Sequence, residues 1–141
     1  MNTTFAADGS AGSDIARNSQ PILIIEDDPM FLDVLIELLR LNGFQVQSTL
    51  SGHDGLHLSQ SLHPVCILLD LKLADIDGYE VLKQLKNHAQ TQSIPVIVVS
   101  GFARPDDRDR ALVSGAAAYF AKPFQTQEFI ETIREVIGKR V

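Results

Sequence analysis

Three apolar runs in this 141-residue chain each end on a group that could do chemistry. Val65-Cys66-Ile67-Leu68-Leu69 closes on Asp70, Ile22-Leu23-Ile24-Ile25 runs into Glu26-Asp27-Asp28, and Ile94-Pro95-Val96-Ile97-Val98-Val99 runs into Ser100. A shorter run, Ala116 to Ala121, leads to Lys122-Pro123. Acids, a hydroxyl and an ammonium at one edge suit a divalent cation and a phosphoryl group. If Glu26, Asp27 and Asp70 converge, each pair near 4 Å repels by roughly 4 kcal/mol at an effective dielectric of 20. Such crowding requires a cation or shifted pKa values. Mg²⁺ fits best, since it favours a few carboxylates, waters and phosphate oxygens. Lys122 offers a point charge to a phosphoryl oxygen.

Those residues need elements to hold them, and from Pro21 onward strands and helices alternate. Strands are expected at Ile22–Glu26, Phe44–Thr49, Val65–Leu69, Val96–Val99 and Ala117–Phe120. Helices are expected at Pro29–Asn42, Gly52–Leu62, Gly78–His88, Pro105–Ser114 and Gln125–Ile137. Pro29 suits a first helical turn, where a missing N–H costs nothing. The first helix shows an apolar stripe of Phe31, Val34, Leu35, Leu38 and Leu41. The second carries Leu56, Leu58 and Leu62. The third carries Tyr79, Val81, Leu82 and Leu85. The fifth carries Phe129, Ile130, Ile133, Val136 and Ile137. Helix four is charged on one side through Asp106, Asp107, Arg108, Asp109 and Arg110, most simply a solvated face.

Strands alternating with helices predict a parallel sheet covered on both faces. Ligand sites in such sheets lie outside the carboxyl ends of the strands. Strand two alternates through Gln45, Gln47 and Ser48 and reads as an edge, consistent with the order 2-1-3-4-5. Residues 1–20 show no period and read as a flexible tail; 21–138 form the folded domain.

Bulk properties narrow the function. Hydrophobic residues make up 45% of the chain, net charge is −6 and the pI is about 5.0. That balance argues against direct nucleic-acid binding, which wants a basic face. No apolar stretch approaches the length of a membrane span, and no secretory signal is visible. The one cysteine, Cys66, sits in an apolar run and reads as a packed thiol. A cytoplasmic location follows.

The combination Glu26-Asp27-Asp28, Asp70 with Asp77-Gly78, Ser100-Gly101, and Tyr119 ahead of Lys122-Pro123-Phe124 resembles the receiver domain of two-component response regulators. The likeness spans about residues 21–138, and each motif ends an expected strand in the family's order. It implies a flavodoxin-like, doubly wound α/β fold with a five-stranded parallel sheet. Asp70 would then accept a phosphoryl group from a histidine kinase or phosphotransfer protein. Asp27 would bind Mg²⁺ directly, Glu26 through water, and the Lys72 carbonyl would complete the shell. Ser100 and Lys122 would hold phosphoryl oxygens, and Tyr119 would move inward with Ser100. The Lys122-Pro123 bond would be cis, aiming the lysine into the site. The helix-four, strand-five, helix-five face would meet an output partner whose identity the sequence does not give, and a phosphorylation-dependent homodimer fits the same family. The chain ends soon after helix five, as a stand-alone receiver or one cut from a longer protein would.

Departures from the common pattern matter. Ala74 stands where a proline is frequent, so that loop is expected to be less rigid. Lys72 and Phe102 occupy positions that tune dephosphorylation in relatives; Phe102 could shield the acyl phosphate. Ala117-Ala118 replaces a more acidic pair. Two rival readings compete with this one: a haloacid-dehalogenase-type phosphatase, which wants a second Asp where Lys72 stands, and a receiver-like interaction module that is never phosphorylated. Asp28 could simply cap the first helix. His53, His57, His63 and His88 read as surface or packing residues.

Overall fold

The computed structural model describes residues 20–101 and 104–138. Five strands and five helices alternate: β1 (Ile22–Ile25), α1 (Pro29–Leu41), β2 (Val46–Thr49), α2 (Gly52–Leu62), β3 (Cys66–Leu69), α3 (Gly78–Asn87), β4 (Val96–Ser100), α4 (Asp107–Val113), β5 (Ala118–Ala121) and α5 (Thr126–Gly138). All strand pairs are parallel, in the order β2-β1-β3-β4-β5. This is the flavodoxin-like fold expected, with β2 at one edge.

Strands β1, β3 and β4 are buried along their whole length, which explains their unbroken Ile, Val and Leu. Successive side chains point to opposite faces and so feed two cores. Ile22, Ile24, Cys66, Leu68, Ile97 and Val99 pack beneath α1 and α5. Leu23, Ile25, Ile67, Leu69, Val96 and Val98 pack beneath α3 and Ala111 of α4, with the α2 leucines partly buried around them. Cys66 is fully buried, as expected of a packed thiol.

Three helices differ from expectation. In α1 the buried residues are Leu32, Leu35 and Leu39, while Val34 and Leu41 are exposed. In α2 the buried positions are the small residues Gly52, Gly55 and Ser59. A Cβ on Gly55 would collide with the side chain of Ile25, so this helix lies against β1 with no room for a side chain between them. Helix α4 starts at Asp107, two residues later than expected, and its charged face is not wholly solvated because Asp107 is buried.

Candidate phosphoacceptor and metal site

The carboxyl ends of β1, β3, β4 and β5 gather the chemistry-bearing residues at one edge of the sheet. Parallel register sets the levels: Ile25 pairs with Leu69, so Glu26 and Asp70 leave the sheet side by side. The Asp70 N–H donates to the Ile25 carbonyl at 3.0 Å, and the Glu26 N–H donates to the Thr49 carbonyl at 3.1 Å. Carboxylate oxygens of Glu26, Asp27 and Asp70 lie within 4.8 Å of one another. Glu26 and Asp70 are 2% and 6% exposed, so this negative charge is largely out of water.

Lys122 supplies the counter-charge. Its N–H donates to the Ser100 carbonyl at 2.8 Å, fastening it to the end of β4, and the Lys122-Pro123 bond is cis. Its Nζ lies 2.8 Å from Glu26 Oε1, 4.0 Å from Asp70 Oδ2 and 4.0 Å from the centre of the Phe31 ring. The resting ammonium therefore pairs with Glu26 more closely than with Asp70. Asp70 Oδ1 accepts from the Lys72 N–H at 3.2 Å. Burial, then the charge of Glu26, pushes the Asp70 carboxyl up to about 7, against the opposing pull of Lys122 and the Lys72 N–H.

Asp28 takes the capping role, its Oδ1 accepting from the N–H groups of Met30 and Phe31 at 3.1 and 3.5 Å. The Asp28 N–H in turn donates to Glu26 Oε2 at 3.0 Å, which leaves Asp27 to face the other acids. Ser100 is buried at the end of β4. Tyr119 lies inward: it is 9% exposed, with its hydroxyl buried beside Ser100. Burial first, then the nearby charge of Asp107, raises its pKa. All four histidines are exposed. Phe102 lies outside the described residues, as does nearly all of the segment read as a tail.

A set of three buried or half-buried carboxylates with no soft ligand among them fits a hard divalent cation such as Mg²⁺. The fit rests on donor chemistry and on the repulsion that burial imposes.

Sequence reasoning missed the surroundings of Asp107. The Tyr79 hydroxyl donates to Asp107 Oδ1 at 2.8 Å, the Arg104 N–H donates to Asp107 Oδ2 at 2.9 Å, and the Arg110 guanidinium stacks 3.7 Å from the Tyr79 ring centre. Asp107 stands one helical turn before the buried Ala111, and that spacing was the available signal.

Comparison with known proteins decides the family. A profile described as the response regulator receiver domain matches residues 22–134. The chain belongs to the response regulator receiver family. It is 35% identical over 120 residues to the polar-differentiation response regulator DivK of Brucella ovis, covering 85% of this chain and 98% of that one. A receiver domain of a sensor histidine kinase from Pseudomonas aeruginosa PAO1, crystallised with magnesium in its active-site cleft, superposes with a TM-score of 0.78 at 28% identity. That match covers 84% of this chain and 98% of the other. A CheY-like receiver from Methanospirillum hungatei JF-1 gives a TM-score of 0.78 at 28% identity over 85% and 94% of the two chains. This protein is thus a receiver domain of the two-component type, a signalling module. Receivers as a class work with histidine kinases or phosphotransfer proteins. Among the described residues no helix is long and apolar enough to cross a membrane.

Proposed function

We propose that Asp70 is the phosphoacceptor of this receiver, taking its phosphoryl group from a histidine kinase or phosphotransfer protein. The observation that carries the reading is the convergence of Glu26, Asp27 and Asp70 at the carboxyl edge of the sheet, with the Lys122 ammonium beside Glu26 and Asp70. In this reading an ionised Asp70 oxygen attacks phosphorus, the bond from phosphorus to the donor imidazole breaks, and its electron pair leaves with the imidazole. Glu26, Asp27, Asp70 and the Lys72 carbonyl would hold Mg²⁺, which when bound neutralises charge on the carboxylates and on the transferred group. Lys122 swings from Glu26 to a phosphoryl oxygen, and the Ser100 hydroxyl donates to another. Small phosphodonors can serve the same acceptor, and water later hydrolyses the acyl phosphate, with Phe102 and Lys72 setting its lifetime.

Residues 21–138 make up this unit, and the reaction belongs in the cytoplasm, where histidine kinases present their phosphohistidines. The α4–β5–α5 face carries the output. An open groove of about 930 Å³ beside β5, lined among others by Arg108, Tyr119, Phe124 and Glu128, supports this placement. Tyr119 links that groove to Ser100, and the surface serves an output protein or a second phosphorylated copy, not nucleic acid.

The test is to incubate wild type and Asp70→Asn with acetyl phosphate, with and without Mg²⁺, and weigh the products. Wild type should gain one phosphoryl mass only with Mg²⁺, and the variant should gain none. Labelling of the variant, or equal labelling of wild type in EDTA, would sink the reading.

A further inference from the structure

The loop from Asp70 to Gly78 lacks the expected proline, yet it is tied down at its far end by Asp75. Asp75 Oδ1 accepts from the Gly52 N–H at 2.9 Å, and Oδ2 accepts from the His53 N–H at 3.0 Å and the Ser51 hydroxyl at 2.9 Å. All three donors sit where β2 turns into α2. These bonds, led by those from His53 and Gly52, hold the Asp75 carboxyl well below the usual carboxylate range. The contact is close elsewhere too: a Cβ on Gly52 would strike Ile76 and crowd Leu73.

The same β2–α2 junction also holds the other acid-bearing segment. Thr49, the last residue of β2, accepts the Glu26 N–H through its carbonyl, while its Oγ1 accepts the Ser51 N–H at 3.2 Å. Thr49 to His53 thus forms a brace with one end on Glu26 and the other on Asp75. Within the loop, Lys72 bridges Asp77 in antiparallel fashion and its N–H bonds Asp70, so a shift of the loop tip reaches Lys72 and Asp70.

We propose that Asp75 is a positioning residue that, through this brace, sets the separation of the Glu26–Asp27 segment from the Asp70–Lys72 segment and so tunes Mg²⁺ affinity. The inference rests on the metal-dependent reading above and adds a residue that never touches the ion. Outer residues that orient ligands commonly shift metal affinity by roughly 10–100-fold. Asp75 acts through backbone and lies at the low end of that range. Its effect is on assembly of the site, so the phosphorylation rate at saturating Mg²⁺ is unchanged.

The experiment titrates Mg²⁺ into the full chain by calorimetry, for wild type, Asp75→Ala and Asp75→Asn. Asp75→Ala should raise the dissociation constant roughly tenfold. Asp75→Asn, which keeps one acceptor oxygen, should fall between the two. With acetyl phosphate, the half-saturating Mg²⁺ concentration should rise in Asp75→Ala while the maximal rate stays at the wild-type value. Linkage is reciprocal, so Mg²⁺ must also slow amide exchange at Gly52 and His53 in wild type, a readout that requires no variant to fold. Normal Mg²⁺ binding by Asp75→Ala, a fall in maximal rate without a shift in half-saturation, or exchange at Gly52 and His53 that ignores bound Mg²⁺ would each overturn the inference. A wild type that takes up no Mg²⁺ would instead remove the functional reading, and this inference with it.

Discussion

The Tyr79 hydroxyl and the Asp107 carboxylate meet at 2.8 Å, joining α3 to the first turn of α4. Asp107 is 6% exposed and Tyr79 half-buried, so the pair sits at the margin of the core beneath the proposed output face. A charged acceptor with little access to water loses more from a missing donor than an exposed one does. Tyr79→Phe should therefore lower unfolding free energy by about 1–2 kcal/mol. Urea denaturation checks this; a loss below about 0.5 kcal/mol would put the bond in the class of neutral surface contacts.

Asp70 makes metal-free stability fall as pH rises. Its pKa is raised in the folded protein to about 7 from 3.8, chiefly by burial and then by Glu26. Between those values the folded state binds more protons than the unfolded one, so unfolding free energy declines with pH. The stabilising contribution is complete below the unfolded value and gone above about 7. Urea melts in EDTA across pH 4–8 should show this decline, flattened in Asp70→Asn and countered at pH 8 by excess Mg²⁺. A wild-type profile indistinguishable from that of Asp70→Asn would mean that Asp70 titrates normally.

Lys122→Ala should separate metal binding from the phosphoryl response. The ammonium now offsets Glu26 and Asp70, and without it the acids form a purer anionic site. Mg²⁺ affinity should hold or rise. The phosphorylated state, deprived of a charge-assisted bond, should lose about 2–3 kcal/mol of stabilisation. Calorimetric Mg²⁺ titration and beryllofluoride binding measure the two separately; a weakened Mg²⁺ affinity would contradict the role given to Lys122.

Gly55→Ala should be disproportionately costly for a single methyl group in a helix. Alanine is the better helix former, worth up to about 1 kcal/mol. Here its Cβ would meet the Ile25 side chain, and overpacking of this kind costs about 1–3 kcal/mol. Thermal denaturation should show a net loss, and an increase in midpoint would mean that α2 can lift off β1 freely.

Strand-end chemistry was readable because burial on both faces forces unbroken apolar runs, and a run that stops on Asp70 or Ser100 marks the sheet edge itself. Helix faces were less legible where composition was degenerate. In α1 apolar residues surround the axis, so periodicity alone could not choose between a stripe through Val34 and Leu41 and the buried one through Leu32 and Leu39. In α2 the buried row is Gly, Gly and Ser, invisible to any search for large apolar residues. The long-range partners of Asp107 and Asp75 were illegible for a different reason. The Tyr79 hydroxyl lies 28 positions from Asp107, and the donors to Asp75 lie 22 to 24 positions from it, and no local pattern announces a partner at that distance.

Lys122 spends the resting state with its ammonium against the face of Phe31 and its side chain 18% exposed. Much of the hydration shell that a free lysine carries has therefore been shed during folding. An arriving phosphoryl group meets a cation that is already dry on several sides, so its binding enthalpy is not diluted by stripping water from the lysine. The aromatic ring acts as a parking surface from which the charge can pivot between oxygens without returning to bulk solvent. Added salt, which screens hydrated surface charges most, should leave this contact comparatively untouched.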